Sequence, residues 1–253
     1  MRQVINMLSD RNLERLERNV FDVLLFHLKQ DRKKLIDGLN SRIKILNDWH
    51  PQFIKTARKG YNASDLDTGA ERIFSSFFAP ILRFPNSSPI GSDLMYEHSD
   101  AFIHIEIKTS LIGNEADYKG KVNIGVNQTS YGIPRGFTPN LPTYYMNKQK
   151  PCLTYAIHII HEHAKPNIIA LSLICIPNGQ LYKHYQKSII RAGKSGFTGA
   201  RDIRYKYAAE PHFKLLKQQN NQTYFRIEMV CLDKKFKPQD ITTIKNLPVH
   251  FWI

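Results

Sequence analysis

The stretch "PIGSDLMYEHSDAFIHIEIKTS", residues 89–110, sets Asp93, Glu97, Asp100, Glu106 and Lys108 into what otherwise reads as a pair of strands. In "FIHIEIKT", Ile103, Ile105 and Ile107 alternate with His104, Glu106 and Lys108. Successive side chains of a strand point to opposite faces, so one face is apolar and the other carries the acid and the base. The preceding "SDLMYE" has the same period, with Leu94 and Tyr96 alternating against Asp93, Met95 and Glu97. His98, Ser99 and Asp100 lie between the two runs and tolerate a turn. The pattern predicts a β-hairpin.

A turn centred between Ser99 and Asp100 sets Leu94 opposite Ile105, Tyr96 opposite Ile103 and Asp93 opposite Glu106. Directly opposed residues hold their Cβ atoms about 5 Å apart, so this register aims two carboxylates at one spot. A slip of one residue would turn every side chain to the other face and abolish the pairing. Like charges that close resist joint ionisation unless a cation lies between them. A hard divalent ion such as Mg²⁺ takes one or two carboxylates and keeps waters that a substrate phosphate can replace. Lys108, on the same face, is placed to orient an attacking water or to offset charge on a pentavalent phosphate. Together these groups suit phosphodiester hydrolysis.

Upstream the period is helical. Leu13, Leu16, Val20, Val23 and Leu24 predict an amphipathic helix over 11–29, and Ile36, Leu39, Ile43 and Leu46 a second over 32–48, ended by His50-Pro51. A third is expected to start at Asp67 in "DTGAERIFSSFFAPIL". Downstream, "LTYAIHIIHE" and "NIIALSLICIP" are apolar runs suited to central, doubly buried strands, and "TYFRIEMVCLD" reads as one more. The expected fold is α/β: helices flanking a mixed sheet, with a helical N-terminal region. The chain of 253 residues is expected to form one domain, divided into a helical N-terminal region (1–65), a catalytic core (66–176) and a basic C-terminal region (177–253).

The formal charge of +14, from 36 Lys+Arg against 22 Asp+Glu, points to a polyanionic partner, nucleic acid first. Cys152, Cys175 and Cys231 are few, far apart and set in apolar runs, which suits reduced core thiols in a cytoplasmic protein and excludes a disulfide framework. The stretch "MRQVINMLSDRNLERLERN" lacks the apolar run of a secretion signal and no segment reaches membrane-spanning length, so an intracellular protein is expected.

Basic and aromatic residues interleave with glycine beyond Gly179. There Lys183, Lys187, Arg191, Lys194, Arg201 and Arg204 are candidates for phosphate and guanine contacts, and in "NQTSY" Asn127 and Gln128 are candidates for adenine edges. A solvated basic face and a polar loop are the alternatives. The acid-x-Lys tripeptide recurs at Asp31, Asp117 and Asp233, but Glu106 alone lies inside an alternating strand preceded by a matched acid; Asp233, with Glu228 upstream, is the nearest competitor. Glu71 admits two readings, a helix-borne acid near the metal and the last residue of a Thr68-x-x-Glu71 capping box. His158, His161 and His163 lack zinc-site spacing and read as a polar strand end.

The arrangement Pro89-Ile90-Gly91-Ser92-Asp93 followed by Glu106-Ile107-Lys108 resembles the PD-(D/E)xK signature of type II restriction endonucleases, over a core of about residues 66–131. Ile90, Gly91 and Ser92 separate the proline from the aspartate, a departure from the pattern. The resemblance implies a restriction-endonuclease-like core and Mg²⁺-dependent cleavage of a specific double-stranded DNA sequence. It implies Asp93 and Glu106 as metal ligands, Lys108 as the residue that assists the water, and Glu71 as a secondary acid. It also implies a homodimer on a palindromic site, in a restriction-modification setting. A repair or junction-resolving nuclease of the same core and a non-catalytic nucleic-acid-binding protein are the competing expectations.

Overall fold

The computed structural model describes residues 8–40, 62–86, 92–125, 130, 141–145, 150–162, 167–185, 189–192, 203–220 and 223–251. Among the described residues three helices come first: α1 (Asp10–Gln30), α2 (Arg32–Asn40) and α3 (Asn62–Leu82). Ser9 caps α1, its hydroxyl accepting from the Asn12 amide at 3.3 Å. The expected extension of the second helix to Asp48 lies outside the described residues. Helix α3 starts five residues before Asp67. The reason is packing, since Leu66 joins Ala70, Phe74 and Phe78 in a fully buried stripe that carries the helix back past Asp67. Thr68 is therefore interior to α3, and the capping-box reading of Glu71 falls.

Then follow β1 (Pro85–Asn86), β2 (Leu94–Glu97), β3 (Phe102–Leu111), α4 (Glu115–Tyr118), β4 (Val122–Asn123), β5 (Tyr144–Tyr145), β6 (Lys150–His161) and β7 (Ile168–Ile176). The chain continues through α5 (Tyr182–Tyr185), β8 (Ile190–Ala192), β9 (Ile203–Tyr205), α6 (Lys214–Asn220), β10 (Ile227–Leu232), α7 (Pro238–Ile241) and β11 (Val249–Phe251). Among the described residues the main sheet has eight strands in the order β1-β2-β3-β6-β7-β10-β11, with β5 also on β6. It is mixed: β3 runs parallel to β6 and β10 to β11, while the other neighbours on the path are antiparallel. The two Ile-rich runs, β6 and β7, are its centre, and every residue of β7 is buried, as strands covered on both faces require. A three-stranded sheet, β4-β9-β8, stands beside it.

Hydrogen bonds between side chains and backbone help fix the helices on the sheet. The Tyr155 hydroxyl of β6 donates to the Glu17 carbonyl of α1 at 2.8 Å, and Tyr96 of β2 donates to the Ser75 carbonyl of α3 at 3.4 Å. Helix α1 is held further by an ion cluster that its sequence pattern conceals. Glu14 and Glu17, spaced between leucines, are fully buried and share Arg226, itself 0% exposed. Its Nη2 lies 2.7 Å from Glu17 Oε2 and 3.2 Å from Glu14 Oε1, and its Nε donates to Tyr185 Oη at 2.8 Å. The amides of Leu216 and Asn178 donate to the remaining carboxylate oxygens at 2.8 and 2.6 Å. Every charge is thus both paired and hydrogen-bonded, the condition under which buried ions are tolerated. Even so, burial raises the Glu17 carboxyl above its ordinary range against the opposing pull of Arg226.

Candidate active site

The hairpin forms in the expected register: Leu94 pairs with Ile105, Met95 with His104, Tyr96 with Ile103 and Glu97 with Phe102. The turn closes with the His98 amide donating to the Ala101 carbonyl at 2.8 Å, leaving His98, Ser99 and Asp100 exposed. Leu94, Tyr96, Ile103 and Ile105 join the main core, while Met95, His104, Glu106 and Lys108 point to the other face.

Asp93 stands one residue before β2. Its Oδ2 accepts from the Ile107 amide at 2.6 Å, so the side chain takes the place of a strand carbonyl and is fixed against β3. That anchor brings the Asp93 carboxyl to the Glu106 carboxyl, with which it interacts through both charge and a hydrogen bond. Glu106 is 2% exposed, and its Oε1 is ion-paired with Lys108 Nζ. Burial pushes the Glu106 carboxyl up to about 8; Lys108 opposes the shift and the Asp93 charge reinforces it. Two carboxyls and an ammonium therefore meet at one edge of β3, and one of the acids is poised to hold a proton whenever no cation is there to replace it.

The other acid-x-Lys tripeptides are occupied elsewhere. Asp117 pairs with Arg204 at 2.5 Å and Lys119 with Glu115 at 2.9 Å. Asp233 turns its Oδ1 to the Lys235 amide at 2.9 Å, and upstream Glu228 meets Lys29 and His250. Asp31 ends α1. Glu97 pairs with Lys150 at 3.0 Å, at the rim of the hairpin. Glu71 lies on α3 one turn before Ser75, in the helix layer that packs on the apolar face of the hairpin.

Of the basic candidates, Lys183 is exposed on α5 and pairs with Asp10 at 2.7 Å. Partial burial works against ionisation of Asp10, but hydrogen bonds from Lys183, Gln180 and His184 outweigh it and bring the carboxyl down to about 2. Arg204 is buried in β9 with Asp117, and Arg191 of β8 is its strand partner. Asn127, Gln128, Lys187, Lys194 and Arg201 lie outside the described residues, as does His163. Two histidines carry more than their sequence suggested. His104 and His158, expected on a polar face and at a polar strand end, are both buried, and burial lowers each to about 4. Neither ring nitrogen of His104 has a hydrogen-bond partner among the described residues. Alternation located these side chains on the correct face, but it does not reveal that the face is covered.

Comparison with known proteins bears on the family and the fold. The family model for the N-terminal domain of the type II restriction enzyme MwoI matches residues 10–165, and that for its central domain matches residues 168–231. No curated protein sequence matches. Among solved structures, the tetrameric restriction endonuclease SfiI bound to cognate DNA superposes with a TM-score of 0.58 at 14% identity, over 90% of this chain and 88% of that one. The restriction endonuclease BglI bound to its DNA recognition sequence gives 0.52 at 14% identity, over 86% and 90%. At that identity the likeness is one of fold, a mixed sheet flanked by helices. The family match spans most of the chain, which sets aside both the junction-resolving and the non-catalytic expectation. With residues 10–165 and 168–231 accounted for by its two domains, the chain belongs to the MwoI family of type II restriction enzymes, the site-specific deoxyribonucleases.

Proposed function

We propose that this endonuclease cuts both strands of a specific double-stranded DNA sequence with Mg²⁺ held by Asp93 and Glu106. The observation that carries the reading is the hairpin register, which sets these two carboxyls together with Lys108 beside them. The donor set fits a hard cation: two carboxyl groups side by side, one of them buried and raised well above its ordinary range by burial and by its neighbour's charge, with water and substrate phosphate able to supply the other ligands. Such an ion, when bound, supplies Lewis acidity at the scissile phosphate and lowers the pKa of a bound water. Lys108 holds the attacking water in line or meets charge on the phosphate, and Glu71, on the helix that packs against the opposite face of the hairpin, is the secondary acid of this reading. Residues 66–176 form the catalytic core, flanked by a helical region over 1–65 and a DNA-contacting region over 177–253.

The charge of +14 favours the phosphate backbone as partner. Asn127, Gln128, Lys183, Lys187, Arg191, Lys194 and Arg201 are the proposed contacts on DNA. Arg204 is not among them, since its guanidinium is buried against Asp117. A symmetric homodimer presents one cutting site to each strand of a palindrome. Tetrameric assembly, as in SfiI, is the competing outcome. Purified protein incubated with plasmid DNA and Mg²⁺ is expected to give discrete bands whose sequenced ends share one motif, and none with chelator. A smear, or a gel shift without cutting at any divalent ion tried, would contradict the proposal.

A further inference from the structure

Lys108 is flanked unequally. In the parallel pairing of β3 with β6, Glu106 lies beside Ala156 and Lys108 beside His158. On the other side β2 begins at Leu94, opposite Ile105, and the Asp93 side chain has taken the Ile107 amide. Beyond that point β3 has a strand neighbour only on the β6 side, among the described residues. His158 is therefore the cross-strand neighbour of Lys108 on that face, and its imidazole is the side chain set beside the lysine stem. It is 2% exposed, and its Nε2 lies 2.9 Å from the Ser110 hydroxyl, which is the next side chain after Lys108 on the same face of β3. Small Ala156 leaves room beside Glu106, and bulky His158 with Ser110 closes the far side, so the ammonium turns back to the Glu106 carboxyl, as it does here. The charges agree with this role. Burial keeps the imidazole neutral and the lysine charge works in the same direction, against the opposing Asp117, so the ring does not repel its neighbour.

We infer that His158, held by Ser110, is a positioning residue that keeps the Lys108 ammonium at the Glu106 carboxyl for the cutting step. The inference rests on the reading of Asp93, Glu106 and Lys108 as the cutting site. It requires no contact between His158 and DNA, so its loss touches the chemical step and spares binding.

The test is single-turnover cleavage of a duplex carrying the mapped site, at saturating Mg²⁺, for the wild type and for Lys108→Ala, His158→Ala, His158→Gln and Ser110→Ala. Gel-shift affinity without metal and the thermal unfolding midpoint are measured alongside. His158→Ala is expected to slow cleavage about ten- to a hundredfold with affinity nearly unchanged, because misplacement of a catalytic group on the scale of an ångström costs that much. His158→Gln, whose amide can reach Ser110, is expected to recover most of the rate. Should His158→Ala fail to fold, Ser110→Ala carries the test with a several-fold loss. Folded His158→Ala or Ser110→Ala cutting at the wild-type rate overturns the inference, and so does a loss explained wholly by weaker DNA binding. Wild-type cutting by Lys108→Ala would instead remove the underlying reading of the site, whereas an inactive Lys108→Ala beside a fully active His158→Ala removes the inference alone.

Discussion

Glu106 is an acid whose buried surroundings disfavour its charge. Its folded-state carboxyl, at about 8, lies above the ordinary value of 4.5, so between about pH 4.5 and 8 the folded protein keeps a proton there that the unfolded chain has released. Stability from this group is therefore full below pH 4.5 and declines as the pH rises toward 8, unless a cation replaces the proton. Titrating Mg²⁺ into the protein at pH 7 in buffers of different ionisation heat is expected to show about one proton released per site. Glu106→Gln is expected to abolish that release.

His104 and His158 work in the opposite direction. Both are lowered to about 4 by burial, so between pH 6.5 and 4 the unfolded chain binds protons that the folded protein refuses. The contribution of each histidine to stability is then lost as the pH falls through that window. Because Glu106 gains stability over the same window, the histidine effect is read as a difference: in chemical denaturation at pH 7 and pH 5, the wild type is expected to lose stability relative to His158→Gln as the pH falls.

At the scale of elements, the hairpin was legible because two independent periods had to agree. Leu94 and Tyr96 could face Ile105 and Ile103 only in the register that also sets Asp93 at Glu106. The start of α3 was less legible, because Thr68 and Glu71 imitate a cap while Leu66 extends the buried stripe. Least legible was the anchoring of α1. Glu14 and Glu17 look like the polar side of an amphipathic helix, and their partner Arg226 is more than two hundred residues away in sequence. No local pattern announces so distant a pairing. Removing the cation leaves two buried carboxylates, so Arg226→Met is expected to cost about 3–5 kcal/mol in urea unfolding. Exchanging Glu14, Glu17 and Arg226 together for apolar residues of similar volume is expected to recover most of that loss.

Across the whole molecule, the sheet brings a small acidic site into a strongly basic protein. The site needs Asp93 and Glu106 from one hairpin, whereas the charge of +14 is spread along the chain. Affinity for DNA is accordingly expected to fall steeply with salt, log Kobs declining linearly with log salt concentration. Substitutions in the hairpin are expected to leave that slope unchanged. Lys183→Ala is expected to reduce it slightly, by about one counterion or less, because this lysine is already paired with Asp10. Among the described residues no helix is long and apolar enough to cross a membrane. The basic C-terminal region was the hardest to read from its sequence, because stretches rich in glycine and lysine lack the periodicity that locates a strand.

The most direct measurement is single-turnover cleavage by Asp93→Ala at saturating Mg²⁺, with gel-shift binding of the same duplex measured in parallel. The two-carboxylate site predicts a loss of about a hundredfold or more in the cleavage rate with binding retained, since the cation contributes several kcal/mol to the transition state. Cleavage at the wild-type rate by Asp93→Ala would contradict it.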